Sequence, residues 1–597
     1  MAHGTEKRNS GDSSSEASHV DKTDIDVKEA QTSHVEALEV VDVHKEIRMT
    51  KAKWLACIAL CVSYTTAFQQ NACTAAIVKH IDAELGPTTF YNWILSSYSI
   101  SVSVMYPISG GLSDIFGRKW FFIGGTVISL IGTIIALAAQ NVQMVIAGMV
   151  FKGVGAGSQQ LALAAIAEIV PNRQRGVAQA VLDVVTFPWA IFGGLIGNAM
   201  VSHGGLTFRI NFLVGVCLNL TTIVTIWFWY HPEPRPLPGN ITKTARFFQL
   251  DWIGVTLMAI GIVLTLMGFA FGGTQFEWGS AGNVAPLTIG IVSLIALVIW
   301  EWKFAKHPFF AHELFIGKTR TFTLMMVVTF IGGMSLYTAM AFWTQQCQGM
   351  FFRDPIKIGV SAIPGGTGGA IGGFLGGILV GKHKFLRVPH MLFYANAIKL
   401  VSDAVFSTFT PNDYELALAM GFLAMFGMGM SLTVLIVGVQ LSCEDKNLGL
   451  ATLVLGSIRG IGGSVAITIY SSILQNTIAA DAGPRIAKAV LPLGVPTTTL
   501  PKFIALLLGA REDLAGQLPG VSPDALAVGS ETIKWSWAQG FSHIYYAAMA
   551  FSGLAVLCAF IIKDTTHNMT DNLAVQLTNE KVHADPKENA QADPKVV

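Results

Sequence analysis

The sequence predicts an all-α polytopic membrane protein with about fourteen transmembrane helices arranged as six, two and six. Three observations carry this prediction. Hydrophobic residues make up 52% of the 597-residue chain and charged residues only 13%, about half the charged share of a soluble domain. Apolar runs of roughly 20 residues, the length that crosses a bilayer, recur along the chain. Lys and Arg concentrate in alternate loops between those runs, the asymmetry that orients membrane proteins.

Taken in order, residues 1–53 are rich in Ser, Asp, Glu, Lys and His and contain no apolar signal core. They predict a disordered cytoplasmic tail, no cleaved signal peptide, and a first span that inserts itself. Predicted spans over 54–74, 92–112, 120–139, 142–166, 177–201 and 210–230 form a first six-helix bundle, residues 54–230. The run His231-Pro232-Glu233-Pro234-Arg235-Pro236 breaks the helical pattern. Spans over 252–273 and 285–304 follow within a linker region, residues 231–321. A second bundle, residues 322–564, holds spans 322–345, 358–381, 388–409, 416–441, 450–474 and 541–562. Residues 565–597, with Asp-Pro-Lys repeated at Asp585 and Asp593, predict a second disordered tail.

With the N-terminus inside, the inner loops hold fifteen Lys and Arg residues, from Arg118, Lys119, Arg173 and Arg175 through Lys382 and Lys384 to Lys446. The short outer loops hold Lys79, Arg209, Arg353 and Lys357. Both termini are therefore expected in the cytoplasm. One outer loop, residues 475–540, is long and punctuated by Pro484, Pro492, Pro496, Pro501, Pro519 and Pro523. Loops of this length carry function or partial structure. Short amphipathic helices at 486–491 and 503–508 are expected to lie over the outer mouth. A tolerated insertion accounts for the loop as well as a gate or substrate-capture role does.

Composition also excludes function classes. A net charge of +1 gives no basic face for nucleic acid. Seven cysteines, Cys57, Cys61, Cys73, Cys217, Cys347, Cys443 and Cys558, are scattered without a C-x-x-C pair and read as buried small hydrophobes. No histidine lies deep in a span. His390 and His543 fall in first turns, and His307 and His312 in a loop. With no H-E-x-x-H and no histidine cluster, neither an enzyme, a metal nor a cofactor is expected. Gly153-Val154-Gly155-Ala156-Gly157 lacks the surrounding strand a nucleotide loop needs.

Residues 110–119, Gly-Gly-Leu-Ser-Asp-Ile-Phe-Gly-Arg-Lys, set glycines, an acid and a basic pair between two spans, an arrangement that must face water. Charges within the bilayer are costly and mark functional candidates. Lys152, Lys399 and Arg459 fall well inside their spans. Asp403 lies one turn beyond Lys399, so the pair reads either as a self-neutralising salt bridge or as a transport site. Arg459 has no acid within a turn and is flanked by Gly456, Ser457, Gly460, Gly462 and Gly463; its partner must come from another helix, a substrate or water. Asp183, about 9 Å into its span at helical rise, reads as a proton site or as a carboxylate bonded to a neighbouring helix. Tyr64, Gln69, Gln70 and Asn71, then Gln159 and Gln160, then Trp343, Gln345 and Gln346 sketch a cavity. Amide and aromatic groups suit a neutral, oxygen-rich organic molecule, and a ferric siderophore would satisfy them too. Gln345 and Gln346 also mark the outer end of their helix. Glycine runs such as Gly365, Gly366, Gly368 and Gly369 allow close helix approach, for sliding or for plain packing.

Residues 110–119 resemble the loop signature of the major facilitator superfamily, G-x-L-x-D-(R/K)-x-G-(R/K)-(R/K), with Ile115 in the first basic position. The six-two-six layout resembles its fourteen-helix drug:proton antiporter branch. Residues 117–125, 250–254, 307–315, 354–359 and 457–463 are similar to the fungal trichothecene efflux pump family, and the resemblance covers residues 54–564. It implies an inner gate built on Gly110, Asp114, Gly117, Arg118 and Lys119, with Arg173 and Arg175 as partners of Asp114. It also implies a role for Arg459 in substrate contact or coupling between the bundles. The implied activity is proton-driven export of a small organic toxin or fungal secondary metabolite, by a monomer in the plasma membrane or, alternatively, a vacuolar or vesicle membrane. Proton-coupled siderophore-iron uptake, the activity of related families, is the alternative. Two positions depart from the antiporter pattern. Met149 stands where an arginine precedes the Gly-x-Gly-x-Gly run, with Lys152 closer to it. The Gly-Pro-x-x-Gly-Gly signature is reduced to Gly193-Gly194-Leu195-Ile196-Gly197-Asn198. Proton antiport is thus implied by the resemblance more than by these residues.

Overall fold

The computed structural model describes residues 50–570, apart from 87–90, 92, 203–207, 234–247, 249, 273–275, 306–307, 311–314, 316–319, 353 and 509–511. The expectations for residues 1–49 and 571–597, and for Arg235, Lys243, Arg246, His307, His312, Lys318 and Arg353, lie outside the described residues.

Helices account for nearly all of the described chain. α1 (Lys51–Leu85), α2 (Trp93–Phe116), α3 (Arg118–Leu137), α4 (Val142–Gln159), α5 (Ala162–Ile169), α6 (Arg175–Ser202) and α7 (Arg209–Trp229) build the first bundle. α8 (Trp252–Phe271) and α9 (Ala281–Lys303) are the inserted pair. α10 (Thr321–Gln346), α11 (Pro355–Ser361), α12 (Ile363–Leu379), α13 (Val388–Phe406), α14 (Tyr414–Ser442), α15 (Leu448–Val490), α16 (Leu500–Leu508), α17 (Glu512–Ala515) and α18 (Pro523–Ile561) complete the chain. Starts are set by side-chain caps that satisfy otherwise orphaned amides. Asn141 accepts from Met144 N at 2.8 Å, Asp251 from Gly254 N at 2.9 Å and Ser522 from Ala525 N at 3.1 Å. Gly117 separates α2 from α3 at φ +98°, a conformation that glycine adopts without strain.

Among the described residues, ten helices are long and apolar enough to cross a membrane. α1, α2, α4 and α13, which cover most of the expected spans at 54–74, 92–112, 142–166 and 388–409, fall outside that set. The fourth expected span is also not one rod. α4 ends at Gln159, and the chain turns before α5 begins.

The largest departure is at residues 475–540. Both ends of this stretch are long helix rather than connecting loop, because α15 continues without a break to Val490, through Pro484, and α18 begins already at Pro523. Residues 486–491 are thus the end of α15 and its following turn, while 503–508 does belong to a separate short helix, α16. The extensions share one apolar core in which Ile478, Ile486, Val490, Phe503, Leu507 and Ile533 are buried. Arg485 bonds Asp481 at 2.7 and 2.9 Å and Gln539 at 2.6 Å. Ile486, Val490, Phe503 and Leu507, expected on short helices over the mouth, are buried in the core of this cap, a tertiary burial that local hydropathy does not reveal.

Residues 565–570, expected within the disordered tail, are docked: Arg173 N donates to Thr570 O at 3.0 Å and Asn568 Nδ2 to Leu441 O at 2.8 Å. The first bundle closes through packing of α1 on α6 and α7, and of α3 and α2 on α4. The second closes through α12 and α13 on α14, and α15 on α10 and α18. The two bundles meet along two seams, α6 against α12 and α2 against α15. Glycines make that approach possible. A Cβ at Gly377 would stand 2.5 Å from Gly176 O, and one at Gly110 would stand 2.7 Å from Gly449 O.

Candidate functional site

The acid and base of residues 110–119 are joined across the turn. Arg118 Nη2 donates to Asp114 Oδ1 at 2.7 Å and Nη1 to Ser113 Oγ at 2.6 Å. Its Nε faces both oxygens of Glu168 at 3.0 and 3.1 Å, and its Nη2 also pairs with Glu168. Arg118 is 2% exposed and Glu168 1%, so the guanidinium fork is matched by two carboxylates in a dry site. Asp114 then reaches the other bundle. Its Oδ2 accepts from Leu450 N at 2.9 Å and its Oδ1 from Gly449 N at 3.2 Å. These amides open α15, so a carboxylate sits on the positive end of a helix of the opposite bundle. Lys119 is instead turned to α7, where Nζ donates to Trp227 O at 2.9 Å.

Neither Arg173 nor Arg175 partners Asp114, contrary to the expectation. Arg173 is exposed. Arg175, 1% exposed, makes a separate tie between bundles, donating to Gln440 O at 2.6 Å and Asp445 Oδ1 at 2.9 Å. Gln179 and Gln440 join beside it at 3.3 Å, and both donate to Leu163 O. Asp114 and Arg175 therefore tie the two bundles together at separate points. Asp114 is satisfied by backbone amides that a sequence does not display as charges.

The structure divides the proposed cavity residues into three groups. Gln69, Gln70 and Gln159 are at most 1% exposed and tie helices together inside the first bundle. Gln69 donates to Asn211 Oδ1 at 2.9 Å, Ser129 donates to Gln70 Oε1 at 3.2 Å, and Gln159 donates to Asn219 Oδ1 at 2.9 Å. Their burial among α1, α3, α4 and α7 removes them from an open cavity. Lys152 lies within the same bundle, 1% exposed, its Nζ 4.7 Å from the centre of the Phe212 ring. Gln160 is buried as well, and Asn71 half-buried. In the second bundle Trp343 Nε1 donates to Ser361 Oγ at 3.2 Å, Gln346 accepts from Tyr545 at 2.7 Å, and Gln345 is exposed. Lys399 pairs with Asp403, which also accepts from Ser552 at 2.6 Å, a self-contained link between α13 and α18.

Tyr64, Asp183 and Arg459 come together between the bundles. Asp183 Oδ2 on α6 accepts from Thr433 Oγ1 on α14 at 2.6 Å and lies against Gly373 of α12, where a Cβ would stand 2.8 Å away. Asp183 and Arg459 are within electrostatic range of one another, and both act on Tyr64. Arg459 is also within electrostatic range of Tyr106 and Tyr337. Among the described residues no carboxylate lies within ion-pair distance of Arg459. One acid, one unpaired cation and a shell of phenols thus converge from α1, α2, α6, α10 and α15. Sequence reasoning missed Tyr106 and Tyr337. Little in the sequence marks them out, because nine of the chain's 11 tyrosines fall within the predicted spans.

Two helical bundles meeting at glycine-lined seams, with locks at one end and a charged, phenolic centre between them, define a membrane transporter of the major facilitator class. The match to solved structures supports that fold: the human organic anion transporter MFSD10 superposes with a TM-score of 0.53 at 11% identity, covering 86% of this chain and all of the other. Within that class the chain belongs to the fungal trichothecene efflux pump (TRI12) family, whose model matches residues 23–595. It is 25% identical over 519 residues to the trichothecene efflux pump TRI12 of Trichoderma arundinaceum, covering 84% of this chain and 85% of the relative. It is also 25% identical over 534 residues to the MFS-type transporter prx5 of Penicillium rubens, covering 89% and 94%.

Proposed function

We propose that this chain exports a small, neutral, oxygen-rich toxin or secondary metabolite in exchange for protons, through a fourteen-span fold whose Asp114 end faces the cytoplasm. In this reading it works as a monomer in the plasma membrane. The observation that carries the proposal is the position of Asp183, whose carboxylate bonds Thr433 across the seam within range of Arg459. An ionised carboxylate only accepts hydrogen bonds, whereas a protonated one also donates. A proton there weakens the attraction to Arg459 and changes the tie to Thr433, so proton occupancy and bundle separation are linked. Phenols and the Arg459 guanidinium offer donors to ether, ester and hydroxyl oxygens of cargo that carries no counter-charge. Energetics permit the exchange. One proton moving down about 100 mV releases about 2.3 kcal/mol, and one pH unit adds about 1.4 kcal/mol. Together they support a gradient of several hundred-fold.

The test is paired growth of deletion cells on a panel of terpenoid toxins and on siderophore-bound iron, together with toxin efflux from membrane vesicles under an imposed pH gradient. Hypersensitivity with pH-driven efflux is expected. Unchanged tolerance combined with lost growth on siderophore iron overturns export.

A further inference from the structure

The inserted pair has no part in the cycle described so far, yet its contacts lead straight to the gate. α8 packs on α2 of one bundle and on α15 of the other, and Thr468 Oγ1 of α15 donates to Phe269 O at 3.3 Å. The chain leaving α9 is pinned by Glu301, itself 6% exposed. Its Oε1 accepts from Phe309 N at 3.0 Å and its Oε2 from Phe310 N at 3.4 Å. Held this way, the Phe309 ring lies directly on Gly111, the neighbour of Gly110 at the inter-bundle contact. A Cβ on Gly111 would stand 2.7 Å from Phe309 Cζ and 3.6 Å from Leu450 Cδ1. The amide of this same Leu450 is held by Asp114. Phe309 therefore packs where α2, α15 and the end of α9 converge. Only a residue without a side chain leaves room for its ring at position 111.

We infer that the inserted helix pair clamps the gate: Glu301 positions Phe309 over Gly111, and the seated ring holds α2 and α15 together at the Asp114 end. The inference rests on reading that end as a gate that opens during transport. Opening separates α2 from α15, and so it must unseat the ring or carry it away with one of them. The clamp adds apolar burial, which is not directional, to the directional bonds made by Asp114. It gives the two extra helices a task, which is to help set how readily the locked end opens.

The test uses the full-length protein in lipid nanodiscs, with its seven cysteines replaced and spin labels at Arg173→Cys and Lys384→Cys. Both sites are exposed, one on each bundle, at turns on the Asp114 side. Distance distributions are compared for the parent, Phe309→Ala, Phe309→Leu, Glu301→Gln and, as a reference that breaks the direct tie, Asp114→Asn. The expected result is a longer-distance population in Phe309→Ala, with an open-to-closed ratio about tenfold above the parent. Glu301→Gln should shift the same way by less, and Phe309→Leu should restore most of the parent distribution. An Asp114→Asn sample that opens while Phe309→Ala and Glu301→Gln stay at the parent distribution overturns the clamp and leaves the gate standing. No change in any variant, Asp114→Asn included, overturns the gate and the clamp with it.

Discussion

Leu450 N donates to Asp114 Oδ2 at 2.9 Å, although the two residues belong to opposite bundles. With Gly449 N at 3.2 Å, Asp114 caps the start of α15 in the way a cap residue closes its own helix, but from a different half of the protein. Arg118 and Glu168 fix the carboxylate from behind. The lock is therefore a charge set against a helix end. It can break without leaving a bare ion, because Arg118 remains beside Asp114.

Asp114→Asn keeps the shape and removes the charge. A carboxylate at a helix N-terminus contributes about 0.3–1 kcal/mol, and up to about 2 kcal/mol when partly buried. The closed state should lose about that much, visible as faster thiol labelling of a cysteine placed at Thr452 in the buried seam. Labelling at the parent rate would show that the bond carries no closing energy.

Arg118→Lys should cost far more than its conservative appearance suggests. The planar fork meets Glu168, Asp114 and Ser113 together, and a lysine cannot span all three. Breaking a buried ion pair costs about 3–5 kcal/mol, so thermal unfolding in detergent should occur at markedly lower temperature. Glu168→Gln should show a similar loss, because it strands the same guanidinium.

Asp183→Asn separates coupling from architecture. The amide still accepts from Thr433, so folding and substrate exchange at equal concentrations are expected to survive. Accumulation driven by a pH gradient should disappear, and Asp183→Glu should retain part of it. Vesicle transport with and without the gradient reads the split. Equal loss of both activities would assign Asp183 a structural role instead.

Gly377→Val tests the α6–α12 seam. Even the first carbon of a side chain would stand 2.5 Å from Gly176 O, so the bundles must part. Transport should fall at least tenfold while the amount of protein in the membrane stays near that of the parent, as measured by immunoblot of purified membranes.

The Lys399–Asp403 pair makes the opposite prediction. Lys399→Met alone leaves Asp403, 2% exposed, with Ser552 as its remaining described partner and should destabilise by about 3–5 kcal/mol. Lys399→Met combined with Asp403→Leu should recover most of that loss, since apolar replacements of a buried pair are often neutral. Melting curves of the single and double variants decide it.

Much of this protein was legible in its sequence, for a physical reason. Bilayer insertion is decided by the hydropathy of consecutive residues, so the alternation of apolar runs and polar loops and the break after Tyr230 are local properties. The conspicuous turn at residues 110–119 is local as well, and its resemblance led to the right family. The tertiary structure decided what depends on partners far along the chain. It gave Asp114 the amides of α15 in place of an arginine. It enclosed Gln69, Gln70 and Gln159 within the first bundle, and it brought Tyr106 and Tyr337 around Arg459. It also folded the described residues of 475–540 into a packed cap, because burial there comes from helices meeting beyond the apolar spans. A hydrogen bond to a backbone amide leaves no mark in a sequence, and neither does the direction a side chain takes on its helix. For these reasons the class of machine can be read from the chain, while its locks and its centre emerge only when the two bundles meet.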